Sequence, residues 1–188
     1  MHIPSHIMSG WCVGASLPLT ARERLACMLT ASLADLDGIS LLWGWEVYAR
    51  WHHVLGHNVF SGLALAAACA RLAAPGRRLR LAALGFALFH LHLVMDYYGS
   101  GPGWTIHYLW PVADVHWQNP DAWPFGGWQS YAWMLALLVW SVTVAVIKRC
   151  TPFELLTPGL ESDWRRLLSR QSVSAVATAA DRDPEPRA

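Results

Sequence analysis

The stretch that decides the fold is YAWMLALLVWSVTVAVI, residues Tyr131–Ile147, which contains no charged residue and is followed directly by Lys148 and Arg149. A helix needs about 17–25 apolar residues to cross the hydrocarbon core of a bilayer, so this stretch predicts a membrane span. Four other apolar stretches precede it: Ile7–Leu19, Leu25–Leu33, Val59–Ala74 and Leu79–Met95. The first two are short for a full crossing, and re-entrant or tilted helices packed against protein are the alternative.

The composition agrees with a membrane protein. Hydrophobic residues make up 54% of the 188-residue chain and charged residues only 14%, against about a quarter charged in soluble domains. The 12 Trp residues favour the membrane–water interface. The formal net charge of +1 gives no reason to expect nucleic acid as a partner. We therefore predict an all-α, multi-pass helical membrane protein with about four to five hydrophobic helices and membrane lipids as partners.

Lys and Arg residues predict the orientation. They follow the first apolar stretch, surround the Pro75-Gly76 turn and follow the last span, whereas the Trp-, Gly- and Pro-rich loop from Tyr97 to Ser130 contains none. By the positive-inside tendency, the basic segments are cytoplasmic and this loop is external, so we expect a membrane that borders the cytoplasm. We predict a membrane-embedded domain over residues 1–150 and a cytoplasmic tail over 151–188, with an amphipathic stretch at Glu161–Leu168 followed by a composition typical of disorder.

The His and Asp residues fall into clusters, and the most informative is FHLHLVMDYYG. His92 and Asp96 are four residues apart, so on a helix they point the same way and both can reach one divalent ion. Ionisable residues in membrane helices are costly and usually functional. The three other clusters are MHIPSH with His6, ADLDG with Asp35 and Asp37, and WHHVLGHN with His52, His53 and His57.

The remaining ligands are chosen by local geometry. His52 and His57 need a turn, for which Gly56 gives the freedom, before both can face one point. Asp37 is the preferred ligand of its pair, and Asp35 is the alternative and the spare carboxylate that could orient a water. Five hydrophobic passes would place all of these residues on the external side. The predicted ligands are therefore His6, Asp37, His52, His57, His92 and Asp96, with Asp35 and Asp37 as catalytic candidates.

Nitrogen and oxygen ligands of this kind suit zinc, manganese or iron, as one ion or more. An open coordination position would make a bound water a nucleophile near neutral pH. His53 is expected to donate a hydrogen bond, and His90 to pack or to support the ligands. His107 and His116, in the external loop, are candidates for completing the site or holding substrate.

The order of these motifs resembles that of the YdjM-like membrane-bound metal-dependent hydrolases, described as LexA-binding and inner-membrane-associated. Those proteins carry an N-terminal His before a small-residue helix, an Asp-x-Asp, an HRGxTHS-like motif and an HxxxD followed by a Gly-bearing turn and a Pro. The matching parts here are His6 with Gly10, Asp35-Leu36-Asp37, the segment His52–Asn58, and His92–Asp96 with Gly99 and Pro111. The similarity spans about residues 1–115, and His53 stands where the family has Arg.

This resemblance implies hydrolysis by an inner-membrane enzyme. A weaker similarity to the ligand layout of zinc-dependent phospholipase C and P1 nuclease implies several zinc ions and phosphoester cleavage. We therefore predict a hydrolase acting on a phosphoester or ester, either a small molecule or a lipid, at the membrane interface. The alternatives are a metal-ion transporter or sensor that uses the same His and Asp residues, and a structural membrane protein without metal.

Overall fold

The computed structural model describes residues 1–157 and 159–169, and every regular element within them is a helix, as predicted. In chain order the elements are α1 (Ile3–Ser16), α2 (Ala21–Ser32), a 3₁₀-helix (Leu33–Trp43), α3 (Trp45–Trp51), α4 (Val59–Ala70), α5 (Arg78–Gly99) and α6 (Trp128–Lys148). A further helical stretch covers 159–169 and includes the predicted amphipathic segment. Residues 170–188, to which the prediction of disorder applies, lie outside the described residues.

Local sequence signals explain where the helices begin. Pro4 lies in the first turn of α1, where its missing N–H costs no hydrogen bond. At α2 the Thr20 hydroxyl accepts from the Glu23 N–H while the Glu23 carboxylate accepts from the Thr20 N–H, which satisfies two donors that the helix leaves free. The Asn58 side chain accepts from the Ser61 N–H at 2.9 Å and starts α4 in the same way.

In the described part of the chain, three helical stretches are long and apolar enough to cross a membrane: Ala21–Trp43, Arg78–Gly99 and Trp128–Lys148. The first differs from the sequence prediction, which ended its helix at Leu33. The chain instead continues as a 3₁₀-helix through the ADLDG motif. The reason is that the Asp37 side chain does not cap its own turn but accepts hydrogen bonds from residues 52–57, so it does not compete with the helix backbone.

The helices pack as a bundle in which α1 lies between α2 and α6, and α2 packs against α4 and α5. Small residues allow close approach: a Cβ at Gly10 of α1 would overlap the Cys27 carbonyl oxygen on α2. Helix α6 buries Leu137, Ser141 and Val144 and exposes a wide apolar face. Such a face is what lipid would cover in a membrane.

The two ends of the bundle differ in charge. At one end Arg77 pairs with Glu23 at 3.2 Å, and Arg24 pairs with Glu154 at 2.6 Å. The other end holds the N-terminus of α1, the 3₁₀-helix, the loop before α4 and the C-terminal half of α5, which together carry the His and Asp clusters. The fold therefore gathers the metal-ligand residue types at the end opposite these ion pairs.

Candidate metal centre

Two groups of side chains at this end bring their metal-binding atoms together. In the first group, one ligand atom from each residue lies within 4.8 Å of the others in a set made of His6, Asp35, His92 and Asp96. In the second group, one ligand atom from each of His53, His57 and Asp96 also lies within 4.8 Å of the others. Asp96 belongs to both, so the groups form one continuous cluster. All members are buried except Asp35, which is half-buried.

Helix α5 supplies the centre of the cluster through its i, i+4 pair. His92 Nε2 lies 2.9 Å from Asp96 Oδ2. His92 Nδ1 donates to the Ala31 carbonyl oxygen at 2.8 Å, and since a carbonyl only accepts, the proton of the neutral ring is on Nδ1. The Nε2 lone pair therefore points into the cluster, in the arrangement by which proteins orient a metal-binding imidazole.

Asp37 orients neighbouring groups rather than joining the cluster directly. One of its carboxylate oxygens accepts from His52 Nδ1 at 2.6 Å. The other accepts from His57 Nδ1 at 2.9 Å and from the backbone N–H groups of His53 and Gly56 at 3.1 and 3.0 Å. Four donors fill the usual acceptor capacity of a carboxylate. Asp37 thereby fixes the loop from His52 to His57 and turns His57 Nε2 toward Asp96.

His57 Nε2 lies close to two acceptor atoms of the cluster. The Nε2 atoms of His57 and His92 lie 3.0 Å apart, and His57 Nε2 lies 3.2 Å from Asp96 Oδ2. Burial opposes the protonation of His57, but hydrogen bonds to Asp35, Asp37 and Asp96 outweigh it and raise the pKa of His57 well above its ordinary value. The three carboxylates thus favour positive charge at this point, where the buried Met1 ammonium contacts Asp96 Oδ1 and a proton or a metal ion can add to it.

Several buried polar atoms of the cluster have no hydrogen-bond partner among the described residues: both ring nitrogens of His6, Asp35 Oδ2 and His53 Nδ1. His6 Nε2 is 3.2 Å from Asp96 Oδ1, but the contact does not form a hydrogen bond. Leaving a buried polar atom unpaired costs about 1–3 kcal/mol. Imidazole nitrogens and carboxylate oxygens left free around one point are the donor set that a divalent transition metal takes, so the residues present fit such an ion.

The loop between α3 and α4 holds two candidate ligands, His53 and His57, in a constrained backbone. His53 has φ of 67°, in the left-handed region that non-glycine residues seldom adopt and that is often found at functional sites. At Gly56 a Cβ would overlap the Ala34 carbonyl oxygen, so the loop can approach the 3₁₀-helix only with glycine there. Burial, together with the neighbouring His57, lowers the pKa of His53 well below its ordinary value, and the ring is neutral at pH 7.

A cleft of about 810 Å³ opens beside the cluster. Asp35, Tyr48, His52 and His53 form a polar wall, and His2 and Ser100 also line the cleft. Most of the remaining lining is apolar, including Leu36, Ile39, Leu41, Trp45, Trp104 and Phe125. The Tyr48 ring stacks on the His52 ring with centroids 4.5 Å apart. The cluster is therefore reached from a space with one polar side and a long apolar side.

The structure brings together most of the ligands predicted from the sequence and adds others. His6, His57, His92 and Asp96 converge, as does Asp35, while Asp37 and His52 lie outside both groups and pair with each other. Sequence reasoning gave His53 only a hydrogen bond, although its place beside His52 in the WHHVLGH motif was a signal. His90 is not a ligand in either group, because its two ring nitrogens form hydrogen bonds with the Phe86 carbonyl and the Tyr108 hydroxyl.

Over residues 1–157 and 159–169 the fold and the cluster define a class: an all-helical protein with three helices able to span a membrane and a buried His/Asp cluster able to hold metal. No family model matches the chain, and no curated protein or solved structure matches it. The likeness to the YdjM-like hydrolases therefore stays a prediction from the motifs.

Proposed function

We propose that the protein is a membrane-bound hydrolase that uses a pair of divalent metal ions, zinc by preference, to cleave an ester or phosphoester of an amphiphilic substrate. The observation that carries this proposal is the convergence of imidazole nitrogens and carboxylate oxygens on Asp96 from two sides, with polar atoms of His6 and Asp35 among them that have no hydrogen-bond partner. One ion would be held by His6, Asp35, His92 and Asp96, and the other by His53, His57 and Asp96. A carboxylate shared by two ligand groups is suited to a two-metal site.

Divalent ions in such a site polarise an ester or phosphoryl oxygen and make water a nucleophile near neutral pH. Asp35 is the carboxylate placed to orient that water, because it lines the cleft and its Oδ2 has no hydrogen-bond partner. Asp37 cannot do so while its oxygens hold four donors. We assign it the role of orienting His57 and His52.

His52 is the side chain best placed to move a proton to the leaving group. Its Nδ1 is held by Asp37 at 2.6 Å, and its ring forms part of the cleft wall. A carboxylate on one imidazole nitrogen fixes the ring and its tautomer, which leaves Nε2 to accept the proton that the attacking water loses and to pass it to the leaving group. His52, predicted from the sequence as a ligand, is thus proposed as general acid.

The cleft supports a substrate with an apolar part. Leu36 and Ile39 lie on a helical stretch long enough to cross a membrane, line the cleft, and are 61% and 58% exposed. An acyl chain could enter between them while its ester group lies at Asp35. With the basic end of the bundle cytoplasmic, as the positive-inside tendency favours, the cleft would open at the outer surface of the plasma membrane.

The experiment combines metal analysis with a substrate panel, using the full chain in detergent. We expect wild-type protein to hold about two more ions per chain than Asp96→Asn, and Asp121→Asn, a change in an exposed loop, to match the wild type. Among esters and phosphoesters, kcat/KM should rise with acyl length by at most about fourfold per CH₂, the factor that about 0.8 kcal/mol per buried CH₂ allows.

The outcomes separate the alternatives. Equal metal content in wild type and Asp96→Asn would overturn the metal centre. Two ions bound without turnover of any substrate would overturn the hydrolase and favour a transporter or sensor. Turnover that ignores acyl length would overturn the amphiphilic substrate while leaving hydrolysis in place.

A further inference from the structure

A second set of metal-ligand residues lies outside the buried cluster, in the long loop between α5 and α6. There Ile106 and Trp117 form an isolated antiparallel bridge, with N–H···O bonds of 2.9 Å in both directions. The Tyr108 ring stacks on the Trp117 ring with centroids 4.5 Å apart. These contacts hold residues 106–117 as a hairpin with a defined register.

The bridge determines which side chains face each other. Because Ile106 and Trp117 exchange both hydrogen bonds, the next pair inward, His107 and His116, is a non-hydrogen-bonded pair whose side chains share one face and approach closely. Their ring centroids are 5.6 Å apart. Two imidazoles are therefore placed side by side by the backbone.

A carboxylate completes the set. Asp114 Oδ1 lies 3.5 Å from His107 Nδ1 and 3.7 Å from His116 Nδ1, and one ligand atom from each of the three residues lies within 4.8 Å of the others. Ligands at about 2.0–2.1 Å from a tetrahedral ion are about 3.3 Å from one another. Small side-chain rotations would bring the three atoms to that spacing.

We propose that His107, Asp114 and His116 bind a divalent transition-metal ion, with water in the open position. Imidazole ligands favour zinc, copper or nickel over magnesium or calcium. The site is independent of the proposed hydrolase activity, since it shares no ligand with the buried cluster. The backbone of the hairpin is nevertheless hydrogen-bonded to the segment that precedes and begins α4. The His107 N–H donates to the His53 carbonyl oxygen at 3.3 Å, and the Val59 N–H donates to the Tyr108 carbonyl oxygen at 2.9 Å. A bound ion would therefore stabilise the hairpin, whose backbone is bonded to the loop that carries His53.

The test is zinc binding in a background from which the buried ions have been removed. Full-length Asp96→Asn protein in detergent is titrated with Zn²⁺ alone, and the expected result is one ion per chain bound at the hairpin. Adding His116→Ala should weaken that binding by at least about tenfold, because losing even a residue that only hydrogen-bonds to a metal ligand lowers metal affinity by about 10–100-fold. Adding Asp114→Asn should also weaken it, whereas Asp121→Asn in the same loop should not.

A second titration uses wild-type protein and its His116→Ala variant, and it keeps the test decisive if Asp96→Asn does not fold. We expect the wild type to bind one zinc ion more than His116→Ala, whatever the buried cluster holds. Equal zinc stoichiometry and affinity in the two proteins would overturn the proposal. So would magnesium binding as tightly as zinc, because imidazole ligands do not select magnesium.

Discussion

The buried cluster and the hairpin cluster offer the same chemical groups in opposite surroundings. His6, His57 and His92 are 0% exposed, whereas the side chains of His116 and Asp114 are 54% and 84% exposed. Water solvates the hairpin ligands with or without an ion, so their mutual attraction contributes little to stability. In the buried cluster water cannot do this; the Met1 ammonium contacts Asp96, but the three carboxylates there need further positive charge nearby. A cation bound in the buried cluster would therefore stabilise the fold.

The largest expected effect is the difference in turnover between one substitution in the buried cluster and one in the hairpin cluster. His92→Ala removes the ligand that α5 directs at Asp96, and we expect turnover to fall by more than about 100-fold, beyond the usual cost of an outer-shell change. His107→Ala should leave kcat within about twofold, since it removes no candidate ligand of the buried cluster and keeps the backbone N–H that bonds to the His53 carbonyl oxygen. Steady-state kinetics with both variants at saturating zinc measures this, and equal losses in the two would show that the clusters act as one site.

The next prediction concerns Asp37, which the sequence favoured as a ligand and the structure surrounds with four donors. In Asp37→Asn one acceptor oxygen becomes an amide nitrogen, so the orientation of His57 weakens. We expect metal affinity to fall by about 10–100-fold, as for other outer-shell changes, with full occupancy regained at high metal concentration. Competition with a chelator measures the affinity, and Asp121→Asn is the matched control. An occupancy that excess metal fails to restore would instead make Asp37 a ligand.

His92 and Asp37 show how much of the candidate site can be predicted from the sequence. The i, i+4 spacing of His92 and Asp96 is enough to place both on one face of a helix, because a helical period is local information. The all-helical fold follows from apolar stretches for the same reason. The choice between Asp35 and Asp37 is different. It depends on donors in residues 52–57, and no local pattern gives the direction from which that loop approaches.

Helix ends and loops were less predictable. ADLDG has the composition of a turn, but the Asp37 side chain has partners elsewhere in the chain, and the 3₁₀-helix continues to Trp43. His107 and His116 are nine residues apart with no motif between them. They become neighbours only through the pairing of Ile106 with Trp117, a non-local contact inside a loop that composition describes only as rich in turns.

The smallest expected effect tests a side-chain hydrogen bond between α5 and the hairpin. His90 Nε2 and the Tyr108 hydroxyl are 2.8 Å apart, and His90 Nδ1 donates to the Phe86 carbonyl oxygen, so in the neutral ring Nε2 accepts and the tyrosine donates. Tyr108→Phe removes that hydrogen bond and leaves the stacking on Trp117. A partly buried hydrogen bond contributes about 0.5–1.5 kcal/mol, and we expect the free energy of unfolding in detergent to fall by that amount.

Turnover decides what this link means. His90 is two residues from His92 on α5, and Tyr108 follows His107, so the link runs between the two clusters. If they are separate sites, Tyr108→Phe should lower the stability of the protein and the zinc affinity of the hairpin by no more than about tenfold, the equivalent of about 1.4 kcal/mol, with kcat unchanged. If kcat falls with hairpin affinity, the hairpin ion would be acting on the buried centre through α5. The buried cluster and the exposed hairpin cluster would then be two parts of one coupled site.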